Sequence, residues 1–365
     1  MPAGPRGSGA DPRRIMRRSA ALAVMVAFAV SVSGCGSSGE PARTAAGGSP
    51  SPSPSTAVDG QGRLSAQTSP SASAPAGCTI FPADNVWHAD VSRLPVHRDS
   101  AAWVASIGAS AHAHPDFGAG LIDGAPFGIP VTTLGAGQAG VKVTFEYADE
   151  SDKGPYPIPR TARVEGGPNA DGDRHVIVHD TAACKAYELY DAHPDGDGSW
   201  RAGSGAVFDL RRNDLRRAGW TSADAAGLSV LAGLPRAEEV AAGRIDHAIR
   251  FTAPRTRKAY VWPARHAASS STDAALPPMG ARFRLKASVD ISKFPAQARV
   301  VAQALKQYGA ILADNGSPWY FSGTQDDRWN NGQLNALKGL TGTDFEAVDG
   351  SLLMVDANSA RCRQP

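Results

Sequence analysis

The 365-residue chain holds only four cysteines, none at Cys-x-x-Cys spacing, so thiolate metal centres and thioredoxin-like redox chemistry have no footing in it. It has no phosphate loop, no dinucleotide fingerprint and no His-Glu-x-x-His pair, which removes the usual signs of nucleotide binding and of one common class of zinc hydrolase. No cofactor, nucleotide or metal is therefore expected. An excess of charge is missing too: the formal net charge is +2, and residues 1–34 alone carry five Arg against one Asp, which leaves −2 for the rest. With no basic stripe, there is no electrostatic case for nucleic acid. The one conspicuous apolar run, Ala20 to Val30, falls short of the roughly 20 residues that span a bilayer.

That short run has a different use. Arg13, Arg14, Arg17 and Arg18 precede it, and Val32-Ser33-Gly34-Cys35 follows. A positive segment, an apolar core and small residues before a cysteine describe a secretion signal with a lipid-attachment site. Residues 1–34 read as a lipoprotein signal peptide and Cys35 as the lipidated residue, which predicts anchoring to the outer face of the cell membrane. Residues 36–77 are Ser, Pro, Ala and Gly with scattered charge and no aromatic residue, too poor in apolar area to fold. As a flexible tether they would reach roughly 35 Å. Residues 78–365 show no further low-complexity break and read as a single globular domain.

Strand signals dominate that domain. Val141–Tyr147 alternates with period two, and His175–His179 with Lys185–Tyr190 flank a short connection as a hairpin would. Further strands are expected at 206–210, 245–252, 259–262, 282–286 and 310–313. Helices are fewer: Asp99 would cap 100–107, Pro295 opens a helix that Gly309 stops after Tyr308, and shorter helices fall at 237–242 and 333–338. Helices inserted without regular βαβ alternation predict an α+β, mainly antiparallel, sandwich-like fold. Cys78, Cys184 and Cys362 remain for an oxidising compartment, so one pair and one leftover thiol are expected, with Cys78 bridging either Cys184 or Cys362.

Several segments, among them Ile80-Phe81-Pro82-Ala83-Asp84-Asn85-Val86-Trp87, His114-Pro115-Asp116-Phe117-Gly118, Trp220-Thr221-Ser222-Ala223-Asp224-Ala225-Ala226-Gly227 and Met279-Gly280-Ala281-Arg282-Phe283-Arg284-Leu285, resemble a family of secreted proteins and lipoproteins of actinobacteria and other soil bacteria. The resemblance spans 78 to 349. That family has no established activity, so it brings no catalytic residues. It does imply that 350–365 is a variable tail, which supports pairing Cys78 with Cys184.

Chemistry must then come from the residues. His112-Ala113-His114-Pro115-Asp116 has His-x-His spacing, but no third ligand can be assigned and a polar loop explains it. His247, on an alternating segment with Ile245, Ile249 and Phe251, points among apolar neighbours where its pKa is movable. His266 and Arg265 sit where a strand gives way to a loop, and a guanidinium there suits a substrate carboxylate. His175 is a third candidate, for binding. Glycoside hydrolysis needs two carboxyls: Glu188, a charge inside a strand, and Asp224 are the candidates, although Thr221-x-x-Asp224 also reads as a capping box. Asp314-Asn315 reads as a turn, with the option of a strand-end carboxylate beside a sugar cleft. Asp195-Gly196-Asp197-Gly198-Ser199 lacks the Glu a calcium loop needs at its twelfth position, which is Ala206. Trp262, Trp319 and Tyr320 are the aromatic faces assigned to stack on sugar. The expected function is action on polysaccharide, by hydrolysis or by elimination with His247 or His266 as base and Arg265 or Arg250 on the uronate. The rival is a non-catalytic glycan-binding or cell-envelope scaffold.

Changing Cys35 to Ala is expected to move the protein from the membrane fraction into the soluble one, because the lipid is the anchor. A variant that still pellets with membranes after a high-salt wash overturns the assignment.

Overall fold

The computed structural model describes residues 77–122 and 124–363; Cys35 and the tether at 36–76 lie outside them. Four α-helices are present among these: α1 (Ser100–Gly108), α2 (Ala237–Ala241), α3 (Ala296–Gln307) and α4 (Asn331–Leu334). The strands in chain order are β1 (His114–Asp116), β2 (Leu121–Ile122), β3 (Ala125–Pro126), β4 (Val131–Leu134), β5 (Val143–Phe145), β6 (Val176–Asp180), β7 (Lys185–Tyr190), β8 (His193–Pro194), β9 (Trp200–Ala202), β10 (Ser204–Asp209), β11 (Ile249–Ala253), β12 (Arg282–Leu285), β13 (Ala310–Asn315), β14 (Tyr320–Ser322) and β15 (Phe345–Val348). The fold is α+β, built from mixed and antiparallel sheets with few helices, as the sequence pattern predicts.

A four-stranded sheet has the order β10-β7-β6-β4, antiparallel except for the β4–β6 pair. Alternation explains why β6 reads as an unbroken apolar run. Ile177 joins Ala186, Ala206 and Phe208 in the main core. Its neighbours Val176 and Val178 join Leu189, Trp200 and Tyr156 in a second core on the other face. Both faces are covered, so neither can be polar throughout.

The six-stranded sheet runs β1-β14-β11-β13-β12-β15 and mixes parallel and antiparallel pairs. One face carries an aromatic stack: Phe251 lies 5.5 Å from Trp319 with nearly parallel rings, and Trp319 lies 4.9 Å from Phe345. Phe283 meets Phe251 and Trp319 edge-on. Full burial of each such ring contributes roughly 2–3 kcal/mol, so this face anchors the domain.

The helix expectations hold with adjusted ends. α1 starts after Asp99, but the Asp99 side chain makes no cap hydrogen bond. Gly309 follows α3 at φ +67, a conformation that stops a helix and that glycine adopts without strain. The expected helix at 333–338 divides into α4 and a 3-10 stretch, Asn335–Gly339. Three strands are shorter than alternation suggests: of 141–147 only β5, Val143–Phe145, is a strand, and Val141 forms an isolated bridge to Tyr156. β11 begins at Ile249 because the N–H of Ala248 is taken by the Trp87 carbonyl, and 259–262 forms only the bridge Tyr260–Met279. Long-range backbone partners outside the sheets end these patterns early.

Cys78 and Cys184 form a disulfide, with Cα atoms 5.3 Å apart, across 106 residues of chain. Cys362 is buried outside this bridge. The bond ties the start of the domain to the β6–β7 hairpin. Because the closed loop is long, Cys184→Ala is expected to lower stability by about 2–5 kcal/mol, read as the shift in denaturant midpoint. A loss below about 1 kcal/mol would show that the folded contacts around the bridge suffice without it.

Candidate functional site

The registers of β1, β14 and β11 decide which side chains share a face. His114 pairs with Tyr320 and Asp116 with Ser322, while Phe251 pairs with Phe321 and Thr252 with Tyr320. Paired residues share a face and successive residues alternate. His114, Asp116, Arg250, Thr252, Tyr320 and Ser322 therefore stand together, opposite the aromatic stack. Between Phe251 and Thr252 the register with β13 shifts, so that Thr252 pairs with Asp314 and not with Ala313. This bulge re-aims a carboxylate: in an unbroken ladder Asp314 would fall on the aromatic face, whereas here it joins Arg250.

Arg250 lies at the floor. Its Nη1 donates to Ser322 Oγ at 2.7 Å, Nη2 is 3.8 Å from Asp314 Oδ2 and Nε is 4.0 Å from Asp224 Oδ2. The last two are charge contacts without a hydrogen bond, and both Arg250 Nε and Asp224 Oδ2 are buried with no hydrogen-bond partner in the protein. Asp224 is held by its other oxygen, which accepts from the N–H groups of Ala226 and Leu228 at 3.1 Å. The same loop docks on the sheet through Ala225 N–H to Asp314 Oδ2 at 3.2 Å.

A second wall comes from the four-stranded sheet. His175, just before β6, has Nδ1 2.5 Å from Glu165 Oε2 and Nε2 2.9 Å from the Ala223 carbonyl. Both neighbours are acceptors, so both ring nitrogens must donate and the ring is an imidazolium. It thereby clamps the Glu165 segment to the Asp224 loop. The site opens outward from this floor: the side chains of Arg250 and Asp224 are 4% and 0% exposed, those of Asp314 and Glu165 22% and 26%. Asp116 and His114 are half-buried and Asp173 is exposed at the rim.

The electrostatics follow from this crowding. Burial, then the charge of Glu165, outweighs Arg250 and pushes Asp116 up to about 6. Burial raises Asp224 to about 6 against the pull of Arg250 and two backbone hydrogen bonds. Burial and Asp173 raise Asp314 to about 7. Burial also raises Asp173, against His175 and with Glu165. For His175, burial alone would lower the value, but Glu165 and Asp173 overcome it and hold the ring at about 9. Glu165 is correspondingly depressed by His175 despite burial. His114, stacked on Tyr320 with centroids 4.1 Å apart, is lowered to about 4 by burial and Lys338 and is neutral at pH 7.

Of the residues singled out from sequence, His114, Asp116, His175, Asp224, Arg250, Asp314 and Tyr320 reach this site, and Glu188, His247, His266, Arg265, Trp262 and Trp319 do not. Glu188 is fully buried; it accepts from Ser229 Oγ at 2.7 Å and from the N–H groups of Val230 and Leu231 at 2.8 and 3.0 Å. It satisfies the start of a 3-10 turn at Leu231–Gly233 and cannot meet substrate. Asp224 caps no helix; Thr221 Oγ1 donates instead to its carbonyl, and its carboxylate is inaccessible. His247 is 2% exposed, hydrogen-bonded to the Ala248 carbonyl and to Glu239 of α2; burial lowers its pKa. His266 bonds the Ala225 carbonyl at 2.8 Å, a brace behind the Asp224 loop. Arg265 is buried and donates to the Arg216 and Ala357 carbonyls and to Asn358. Trp262 donates to the Ser359 carbonyl, and Trp319 is 0% exposed in the aromatic stack, so Trp319 offers no face to a sugar.

His112 and His114 do not converge either: His112 bonds the Lys338 carbonyl while His114 lies on Tyr320. Among the described residues, no group of three or more His, Cys, Asp and Glu is arranged to hold a metal ion. Glu165 and Asp173 escape sequence reading. Their only local signal is charge placed just before an apolar strand. A cavity of about 610 Å³ against α3, lined by residues such as Val289, Arg299 and Lys306, is a poorer candidate. There Lys306 Nζ is engaged by the Ala287 and Val289 carbonyls. No protein-family model, curated protein or solved structure matches the chain, so the site is read from its geometry.

The pH dependence of stability follows with a definite sign. Asp116, Asp224 and Asp314 hold protons to higher pH folded than unfolded. Their contribution is complete below about pH 4 and is lost as pH rises through about 6 to 7. His175 adds stability that is lost only as pH rises through about 9. The melting temperature is therefore expected to fall between pH 5 and pH 8. Asp314→Asn is expected to flatten that fall by on the order of 1–3 kcal/mol, measured by thermal melts across the range. A wild-type melting temperature that rises with pH would contradict the assignment.

Proposed function

We propose that this chain is a membrane-tethered extracytoplasmic lipoprotein that hydrolyses polysaccharide, with Asp314 and the neighbouring Asp173 as its working carboxyl pair. The observation that carries the reading is one sheet face on which Asp116, Asp314 and Arg250 stand beside the half-buried His114–Tyr320 stack, open to solvent above a buried floor. Asp314, raised to about 7, keeps its proton near neutral pH and is the general acid for the leaving oxygen. Asp173, at the exposed rim and close enough to Asp314 for its charge to raise it, is the carboxylate partner as base or nucleophile. Arg250, fixed by Ser322, holds Asp314 and Asp224 in place. The His114–Tyr320 pair supplies an uncharged platform for the apolar face of a sugar ring.

Hydrolysis is favoured over elimination. A uronate carboxylate would enter beside Asp116, Asp173 and Asp314, where like charges repel. Of the residues first assigned to elimination, His247, His266 and Arg265 are engaged elsewhere, and Arg250 stands in the site but is held by Ser322 between the carboxylates of Asp314 and Asp224. A non-catalytic scaffold has less to explain the clustered carboxyls, whose mutual repulsion is a cost that binding alone does not need.

The test is release of reducing ends from a glycan panel. Asp314→Asn and Asp173→Asn are each expected to lower the rate about 10²–10⁴-fold with the fold retained by circular dichroism. Glu188→Gln is expected to lower the melting temperature instead. A wild type inactive on a broad panel, or full turnover in both Asn variants, overturns the proposal.

A further inference from the structure

Resting on that reading of the cleft, we propose that its mouth recognises a protonated amine, so that the substrate class is a glycan carrying free amino groups. Asp116, Asp173 and Asp314 stand around the opening as carboxyls exposed to different degrees. The positive groups nearby are committed. His175 is bound to Glu165. Arg174, its neighbour in sequence, turns away to donate to the Ala192, Pro168 and Ala170 carbonyls. The charges of Arg250 and His175 both reach the carboxyls, but the Arg250 guanidinium makes a hydrogen bond to Ser322 and none to a carboxylate.

A second observation points the same way. Asp224, with a fully inaccessible side chain, directs Oδ2 toward this cluster without any hydrogen-bond partner in the protein. Its field reaches Asp314, one of the groups it helps to raise. Arg250 Nε, 4.0 Å away, answers this charge without a hydrogen bond, so the negative potential of the cluster is only partly offset, and a ligand ammonium supplies both further charge and donors. The neutral His114–Tyr320 stack beside it presents aromatic rings that tolerate a cation and would gain nothing from a carboxylate. An acetylated amine offers one donor and no charge, so the cleft should distinguish the two forms.

Binding has a proton signature. Asp116 and Asp173 hold protons above their ordinary range in the unliganded protein, so a cation bound beside them lowers their pKa values and expels protons, while Asp314, the general acid, is not the group that releases them. Isothermal titration of the full chain with a tetramer of β-linked glucosamine, its fully N-acetylated counterpart and a galacturonate tetramer, at pH 6 in buffers of different ionisation enthalpy, tests this. The expected result is at least ten-fold tighter binding of the glucosamine tetramer than of the acetylated one, with net proton release. Asp173→Asn, with retention of the fold checked by circular dichroism, is expected to remove most of that preference. Equal binding of the two amino-sugar tetramers, preference for galacturonate, or displacement of the glucosamine tetramer by millimolar calcium chloride overturns the inference. If the acetylated tetramer is cleaved without any preference for the amine, the inference fails while the hydrolase reading stands. Failure to bind any tetramer, with no glycan cleaved, removes both.

Discussion

A guanidinium buried in a sheet face, with a single hydrogen bond to a serine hydroxyl, constrains everything around it. Arg250 cannot shed its proton, so the surrounding fold must supply negative charge within a few ångströms. It does so from two directions: Asp314, re-aimed by the β13 bulge, and Asp224, brought in by a loop that folds on its own carboxylate. Burial of these carboxyls, and then their mutual repulsion, outweighs the one arginine and makes them retain protons. The same crowding that costs stability at high pH creates groups able to give and take protons near neutrality.

His175 performs the complementary task. As an imidazolium between Glu165 and the Ala223 carbonyl, it joins the end of the four-stranded sheet to the loop that carries Asp224. Other cations act as mechanical braces. Arg265 and Arg174 each spend their forks mainly on backbone carbonyls. Arg282 does so entirely, bonding the Val86, Ala89 and Tyr308 carbonyls. In a chain with so much irregular backbone, many carbonyls lack a ladder partner, and a rigid five-donor fork satisfies several at once. That demand explains why Arg265 is unavailable to a substrate.

Alternation and end signals made much of the scaffold legible. The β6–β7 hairpin, the helix closed by Gly309 and the α+β class all follow from local pattern, because propensity and periodicity act over a few residues. The site was legible only in fragments. His175, Asp224 and Tyr320 were visible as polar or aromatic residues in strands and turns, and Asp314 as a strand-end carboxylate. Glu188 and His247 looked equally promising, since a charge inside an apolar segment has the same local appearance whether it caps a buried turn or faces a substrate. Trp319 misled for the same reason, as an aromatic near a turn can fill the core or meet a ligand.

The sequence by itself determined the class of fold, which depends on local pattern. The choice of bridge partner for Cys78, the face on which Asp314 stands and the meeting of Asp116, Arg250 and Glu165 were decided only in three dimensions. The physical reason is that these depend on ladder register and long-range docking. A one-residue bulge in β13 moves a carboxylate from one face of a sheet to the other, and nothing in the neighbouring residues announces it.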